Sequence, residues 1–268
     1  MAISLASLKR AGDTKPPIVL LHAVGGVGKT TLAASAPAPV FVQTEDGLRY
    51  GVETFGLLKT WADVMGALGA LYTEDHQFRT LVIDSLDWLE PIVWAETCRR
   101  GDGSKTYRTI EDFGYGKGYA QALTVWREYI DGITALRDER NMIVIQIAHT
   151  EVKRFDSPET DPYDRYQIKL HKGAAALAVE HSDVVGFLNY RTSVVKTDVG
   201  FKKTIARGVG GGMRALFVEE RPAFIAKNRY GMPEVIDLPD VAGNDPALWA
   251  AVARHIPALN VQLAKEAA

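Results

Sequence analysis

Apolar residues in this chain gather in short unbroken runs separated by longer amphipathic stretches. Runs of strand length occupy residues 18–23, 40–42, 80–83, 142–147 and 184–188. A run without polar alternation is what a strand shows when helices cover both faces of its sheet. Between the runs, Trp61, Val64, Met65, Leu68 and Leu71 recur at helical spacing, as do Leu123, Trp126, Ile130, Ile133 and Leu136. This alternation predicts an α/β fold with a mostly parallel central sheet flanked by helices.

Two segments break the rhythm. Residues 99–118 and 150–172 are polar, rich in Gly, Pro and Asp, and longer than ordinary connections, so both are expected to be functional loops. Beyond residue 188 the pattern turns short, with Gly200 and the glycine-rich run 208–212 separating apolar stretches at 214–218 and 223–226. Antiparallel additions at the sheet edge are expected in this C-terminal third. Asn244, Asp245 and Pro246 then open a last helix, as a cap followed by Pro in the first turn. The expected organisation is a short extension at 1–15, a core at 16–240 and a C-terminal helical extension at 241–268.

Composition narrows the class only a little. The 268 residues are 47% hydrophobic, enough for one large core, and the formal charge of −2 offers no overall basic field. Contact with nucleic acid would have to come from local loops. Cys98 is the single cysteine, which excludes an internal disulfide and suits a reducing compartment. No apolar run approaches the roughly 20 residues of a membrane span. The first basic residues follow a short apolar stretch, the reverse of a secretory leader. A cytoplasmic protein without a membrane partner is expected.

Chemistry enters at residues 23–31, AVGGVGKTT. A Gly-rich turn between a strand and a helix surrounds phosphates with backbone N–H groups, and the pattern is that of a P-loop. Gly25, Gly26, Val27 and Gly28 supply the cradle, Lys29 meets the terminal phosphates, Thr30 holds magnesium and Thr31 stands near the α-phosphate. Ala23 replaces the first glycine of the consensus. A second acidic signal lies downstream in Leu81-Val82-Ile83-Asp84-Ser85, where Asp84 at a strand end can orient the water shell of Mg2+. Glu45, in the stretch after the 40–42 run, is at a strand end from which a carboxylate can face the γ-phosphate and polarise the attacking water, and a surface acid is the alternative reading. ATP and Mg2+ are the expected cofactors.

The order of these motifs resembles the RecA-like recombinase core, in particular the small RecA-like ATPases of phages associated with single-strand annealing. The resemblance spans about residues 16–230 and implies a RecA-like P-loop fold. It implies Glu45 as catalytic glutamate, Asp84-Ser85 as the magnesium motif and Gln146, in Ile143-Val144-Ile145-Gln146-Ile147, as a γ-phosphate sensor at a strand end. It further implies that Lys227 and Arg229 enter a neighbouring subunit's ATP site in a ring or filament of identical subunits. Segments 99–118 and 150–172 become its two DNA-binding loops, with Arg99, Arg100, Lys105, Arg108, Lys153, Arg154, Arg165, Tyr166, Lys169 and Lys172 as single-stranded-DNA contacts. Lys202, Lys203, Arg207 and Arg214 form a further basic cluster around the glycine run. The implied function is an ATP-dependent, DNA-stimulated protein of phage-type homologous recombination or annealing, with a single-strand-binding protein as a further partner.

Other readings stand beside it. A RecA-like hexameric helicase or loader shares the core, and a metabolic P-loop ATPase or kinase would use the long segments as a substrate lid. A GTPase is disfavoured because no Asn/Thr-Lys-x-Asp motif occurs. His149-Thr150-Glu151 has the spacing of half a zinc deaminase site, but a lone cysteine cannot complete the other half.

Overall fold

The structure is a computed structural model and describes residues 15–49, 51–158, 161–198 and 204–260. The expected extension at 1–15 lies almost wholly outside the described residues, as do Glu159, Gly200, Lys202, Lys203, the side chain of Arg207 and residues 261–268.

Each apolar run becomes a strand: β1 (Ile18–Ala23), β2 (Pro39–Gln43), β4 (Thr80–Asp84), β5 (Ile143–Phe155) and β7 (Val184–Asp198), with β3 (Glu53–Leu57) added at the edge beside β2. They run parallel in the order β7-β1-β5-β4-β2-β3. The helices are α1 (Lys29–Ala34), α2 (Trp61–Thr73), α3 (Leu86–Arg100), α4 (Lys117–Glu139), α5 (Lys172–His181) and α6 (Pro246–Ala253). One face of the sheet, carrying Ile18, Leu20, Leu81 and Ile83, packs on α2 to α5. The other face, carrying Val19, Leu21, Phe41 and Val82, packs on α1 and α6. Both faces are therefore dry, which is why the strands read as unbroken apolar runs.

The C-terminal third is antiparallel as expected, but in long strands. β7 and β8 (Thr204–Phe217) form a ladder in which residues 208–210 of the glycine run pair with β7 instead of turning, and the register shifts between them and Arg214. β9 (Lys227–Asn228) joins β7, and β10 (Val235–Asp237) joins β8. Residues 223–226 are not a strand; Phe224 makes only isolated bridges. Residues 150–172 are likewise not a loop. β5 runs on to Phe155 and pairs antiparallel with β6 (Tyr163–Ile168), so the segment is a hairpin projecting past the sheet. Residues 99–118 are shorter than expected as a connection, because α3 reaches Arg100 and a 3-10 turn occupies Ile110–Phe113.

The terminal helix is part of the core. Asp245 caps it by accepting a hydrogen bond from the Ala247 amide at 2.8 Å, and Leu248, Trp249 and Val252 are buried with Leu32 and Ala33 of α1. Among the described residues no helix is long and apolar enough to cross a membrane.

Candidate functional site

The turn after β1 has the geometry its glycines predict. Gly26 and Gly28 have φ of 80° and 107°, which side-chain-bearing residues rarely adopt. Ala23 is the last residue of β1 and fully buried, so its position needs no glycine conformation and alanine serves. Helix α1 is only six residues long, so the amides of the turn, more than a helix dipole, make the cradle.

Lys29 is buried and donates to the carbonyls of Ala23 at 3.1 Å and Val24 at 3.3 Å. Burial pushes its pKa down, with Asp84, Asp87 and Glu45 acting in the opposite direction. Thr30 donates from Oγ1 to Asp84 Oδ2 at 2.9 Å. Burial raises the pKa of Asp84 despite that hydrogen bond; a cation held here would restore its charge. These are hard oxygen donors, and among the described residues no group of three or more His, Cys, Asp and Glu could hold a metal. The set fits Mg2+ carried by one carboxylate, one hydroxyl and the phosphates of a nucleotide, and it does not fit a protein cage for zinc.

The ends of β2, β4 and β5 converge beside the loop. The amides of Thr44 and Glu45 donate to the Asp84 carbonyl at 2.8 and 3.2 Å, which brings Glu45 over the end of β4. Ser85 donates to Glu45 at 3.2 Å and to Asp87 at 2.9 Å. His149, level with Ala23 across the β1 and β5 ladder, holds Asp87 through its amide at 2.9 Å and its Nδ1 at 3.0 Å, and stands 3.7 Å from Glu45. Burial works against ionisation of Asp87, yet the hydrogen bonds from His149 and Ser85 prevail and hold its pKa below the ordinary value. A cavity of about 460 Å3 collects Gly26 to Thr31, Glu45, Asp84, His149 and Arg214. Gly25 lies in the same turn.

Arg214 has a place in this site that its sequence neighbours did not reveal. A side chain at Gly28 would meet Arg214 Nη1 at 2.6 Å, so the guanidinium lies directly over the phosphate turn. In the sequence it belongs to the basic cluster around the glycine run; the β7 and β8 ladder carries it onto the P-loop. Asp87, three residues after Asp84, is the other participant the sequence reading passed over.

The expected roles of Gln146, Arg99, Arg100, Arg165 and Tyr166 are corrected. Gln146 is in mid-strand, level with Leu20 and Ile83, 1% exposed, and bonded to Tyr129 Oη at 2.9 Å. It cannot reach the phosphate site, because β5 continues past it and His149 occupies the strand level beside the P-loop. Arg99 and Arg100 end α3 and are tied to Glu96, with Arg100 also bonded to Glu128, so neither is a free loop cation. Arg165 is 7% exposed and donates to Glu220 at 2.5 Å and to the Phe224 carbonyl at 3.0 Å. Tyr166 packs on Phe187 with ring centroids 5.1 Å apart. Lys105, Arg108, Lys153, Arg154, Lys169 and Lys172 are exposed. Lys227 donates to the carbonyls of Val179 and Glu180, both at 2.8 Å, and Arg229 pairs with Asp183 at 3.1 Å. Both lie at the opposite end of β1 from the P-loop, since Asp183 accepts from the amide of Ile18.

The sequence pattern of the family described as an AAA domain matches residues 15–230. The chain belongs to the AAA domain family. That family is one of P-loop ATPases, so nucleotide binding with Mg2+ and ATP hydrolysis are the activities to which the AAA domain's geometry answers. The match takes in Lys29, Thr30, Glu45, Asp84, His149 and Arg214 and stops before β10 and α6. No curated protein matches the chain.

Proposed function

We propose that this AAA domain protein is a RecA-like ATPase that grips single-stranded DNA and couples the grip to ATP hydrolysis, as in phage-type homologous recombination or annealing. The observation that carries the reading is a groove of about 460 Å3 beside the ATP cavity, lined by Trp88, Trp94, Tyr119, Lys153, Lys169 and His171. Trp88 is 52% exposed, and Tyr119 stacks on His171 with centroids 4.2 Å apart. Aromatic faces between cations are what a single strand requires, each stacked base contributing about 1–3 kcal/mol.

Asp87 also lines this groove, and it is the carboxylate that His149 and Ser85 hold at the edge of the ATP cavity. A change around Glu45 and His149 during turnover therefore acts on a residue shared by the groove, which supports nucleotide control of the grip. Lys227 and Arg229, remote from their own P-loop, suit action on a neighbouring subunit in a ring or filament. A single-strand-binding protein remains a proposed partner.

Glu90 and Glu151 line the groove as well, and their acidity favours a second reading, a metabolic P-loop ATPase or kinase with a small cationic substrate. Two measurements decide between them. ATP hydrolysis is followed with no DNA, single-stranded DNA and duplex DNA, with Lys29→Ala as the blank. Anisotropy of a labelled oligonucleotide is read with and without a non-hydrolysable ATP analogue, for the wild type and Trp88→Ala. Stimulation by single strands, and affinity that rises with the analogue and falls with Trp88→Ala, are expected. Turnover indifferent to DNA, together with oligonucleotide anisotropy unchanged on adding the protein, would sink the reading.

A further inference from the structure

We propose that Arg214 is the second cation of the ATP site and that it acts in cis, so that phosphate charge is met within one chain before any neighbouring subunit is present. The proposal rests on the phosphate site described above and is independent of the DNA reading.

The position of Arg214 is set by backbone. β7 lies beside β1 with Phe187 level with His22, and the paired residues Tyr190 and Arg214 stand three residues further along, about 10 Å past that level. β1 ends at Ala23, so this stretch of ladder overhangs the phosphate turn. The carbonyl of Arg214 accepts from the amide of Leu238 at 2.9 Å, and the next two residues, Ala215 and Leu216, are fully buried. A side chain on so anchored a strand reaches the turn because Gly28 has no Cβ, which would stand 2.6 Å from Nη1.

The charge of Arg214 has no protein partner. Arg191, Arg221 and Arg229, its neighbours in the C-terminal third, each pair with a carboxylate. Among the described residues the Arg214 guanidinium has neither an ion pair nor a hydrogen bond. It lines the ATP cavity together with Glu45, Asp46, Asp84 and Asp240, four carboxylates that oppose a polyphosphate. Lys29 and Arg214 are the Lys and Arg side chains among its described lining residues, so without Arg214 one lysine would face that charge alone. Lys227 and Arg229 of the same chain cannot replace it, being held at the far end of β1.

In hydrolysis the water oxygen bonds to the γ-phosphorus while the bond from that phosphorus to the bridging oxygen breaks. The bridging oxygen keeps the electron pair and leaves with ADP, and the proton lost by the water passes to Glu45 and on to solvent. Charge shifts among phosphate oxygens throughout. A guanidinium fork held on a strand matches two such oxygens without rearrangement.

Titration calorimetry and thermal melting on the full chain test this, with Mg2+ and either ATP or inorganic tripolyphosphate, for the wild type, Arg214→Ala and Arg214→Lys. Arg214→Ala should weaken both ligands by about tenfold or more, the loss of a charge-assisted contact, and slow single-turnover hydrolysis by about 10²-fold or more. Arg214→Lys keeps the charge without the fork and should fall between the two. Because the guanidinium holds nothing in the free protein, the melting temperature without ligand should be the same in all three. Mixing separates cis from trans. Lys29→Ala and Arg214→Ala together should show no turnover beyond the sum of each alone, since every chain lacks one of the two groups; action in trans would leave about a quarter of the interfaces sound in an equal mixture. Affinity for both ligands and turnover all unchanged in Arg214→Ala would overturn the proposal. So would recovery on mixing, or a lowered melting temperature without ligand alongside undiminished stabilisation by ATP. A wild type that binds neither ligand would overturn the phosphate reading beneath it.

Discussion

Glu45 reaches the ATP cavity through two backbone hydrogen bonds to the Asp84 carbonyl, so its carboxylate is placed by strands and not by a mobile chain. The hydroxyl of Ser85 and the ring of His149 are its neighbours. If it polarises the attacking water, Glu45→Gln should keep ATP affinity within about twofold while hydrolysis falls by about 10²-fold or more. Single-turnover hydrolysis together with nucleotide titration checks this; a matching loss of affinity would make Glu45 a binding group only. Residues of this kind were legible in the sequence because their signals are local: a glycine turn, a lysine, a hydroxyl, an acid ending an apolar run. Gln146 was misplaced for the complementary reason. Which residue of a strand stands at the ligand level depends on its register with β1 and β4, set by packing over more than a hundred residues, and the apolar run 142–147 marked only the buried half of β5. Arg214 was hidden by the same kind of distance, since nothing beside it in the chain announces the P-loop.

At the scale of elements, the buried strands could be read and the projecting ones could not. β1, β2 and β4 are covered on both faces and so are apolar along most of their length. The outer half of β5 leaves the sheet, and Val152, Lys153 and Arg154 are exposed, so Gly, Pro and Asp in 150–172 dominated the pattern. β6 is held down by Arg165, which binds Glu220 and the carbonyl of Phe224. Its neighbour Tyr166 donates its amide to the Ala223 carbonyl at 2.8 Å. Arg165 is thus a clamp between the hairpin and the 220–224 turn. Arg165→Met should lower unfolding free energy by about 1–3 kcal/mol, because the buried carbonyl of Phe224 loses its guanidinium donor. Urea unfolding measures this, and oligonucleotide affinity should stay within about twofold when only folded protein is compared. Loss of DNA affinity at unchanged stability would return Arg165 to the role of a strand contact.

Two properties belong to the whole molecule, and the first is its response to pH. Glu90 of α3 accepts from the amide of His171, the N-cap of α5, and burial, partly opposed by that bond, raises its pKa to about 7 from an ordinary 4.5. Its folded pKa lies above its unfolded value, so folded protein binds the proton more tightly; this contribution is fully present below about 4.5 and lost as pH rises through about 7. Glu90→Gln keeps an acceptor for His171 and cannot ionise. Its melting temperature should track the wild type near pH 5 and exceed it near pH 8, and a gap that does not change with pH would refute the burial account. The second is the proposed assembly. Lys227 neutralises the carbonyl end of α5, and burial lowers its pKa, so Lys227→Ala should cost about 1 kcal/mol of stability whatever its role. The six residues of β1 put about 20 Å between this edge and the P-loop of the same chain, so Lys227 does not touch its own chain's nucleotide, and in the proposed ring or filament a loss of turnover without loss of nucleotide binding would arise across the subunit interface. The Lys227→Ala protein keeps an intact P-loop, and the Lys29→Ala protein keeps an intact Lys227. Random mixing of equal amounts leaves about a quarter of the interfaces with both groups sound, provided that one face meets another head to tail. Recovery of turnover toward that fraction is the expected outcome in a steady-state assay across mixing ratios. Full turnover by Lys227→Ala alone, with the lowered stability, would confine Lys227 to holding the end of α5.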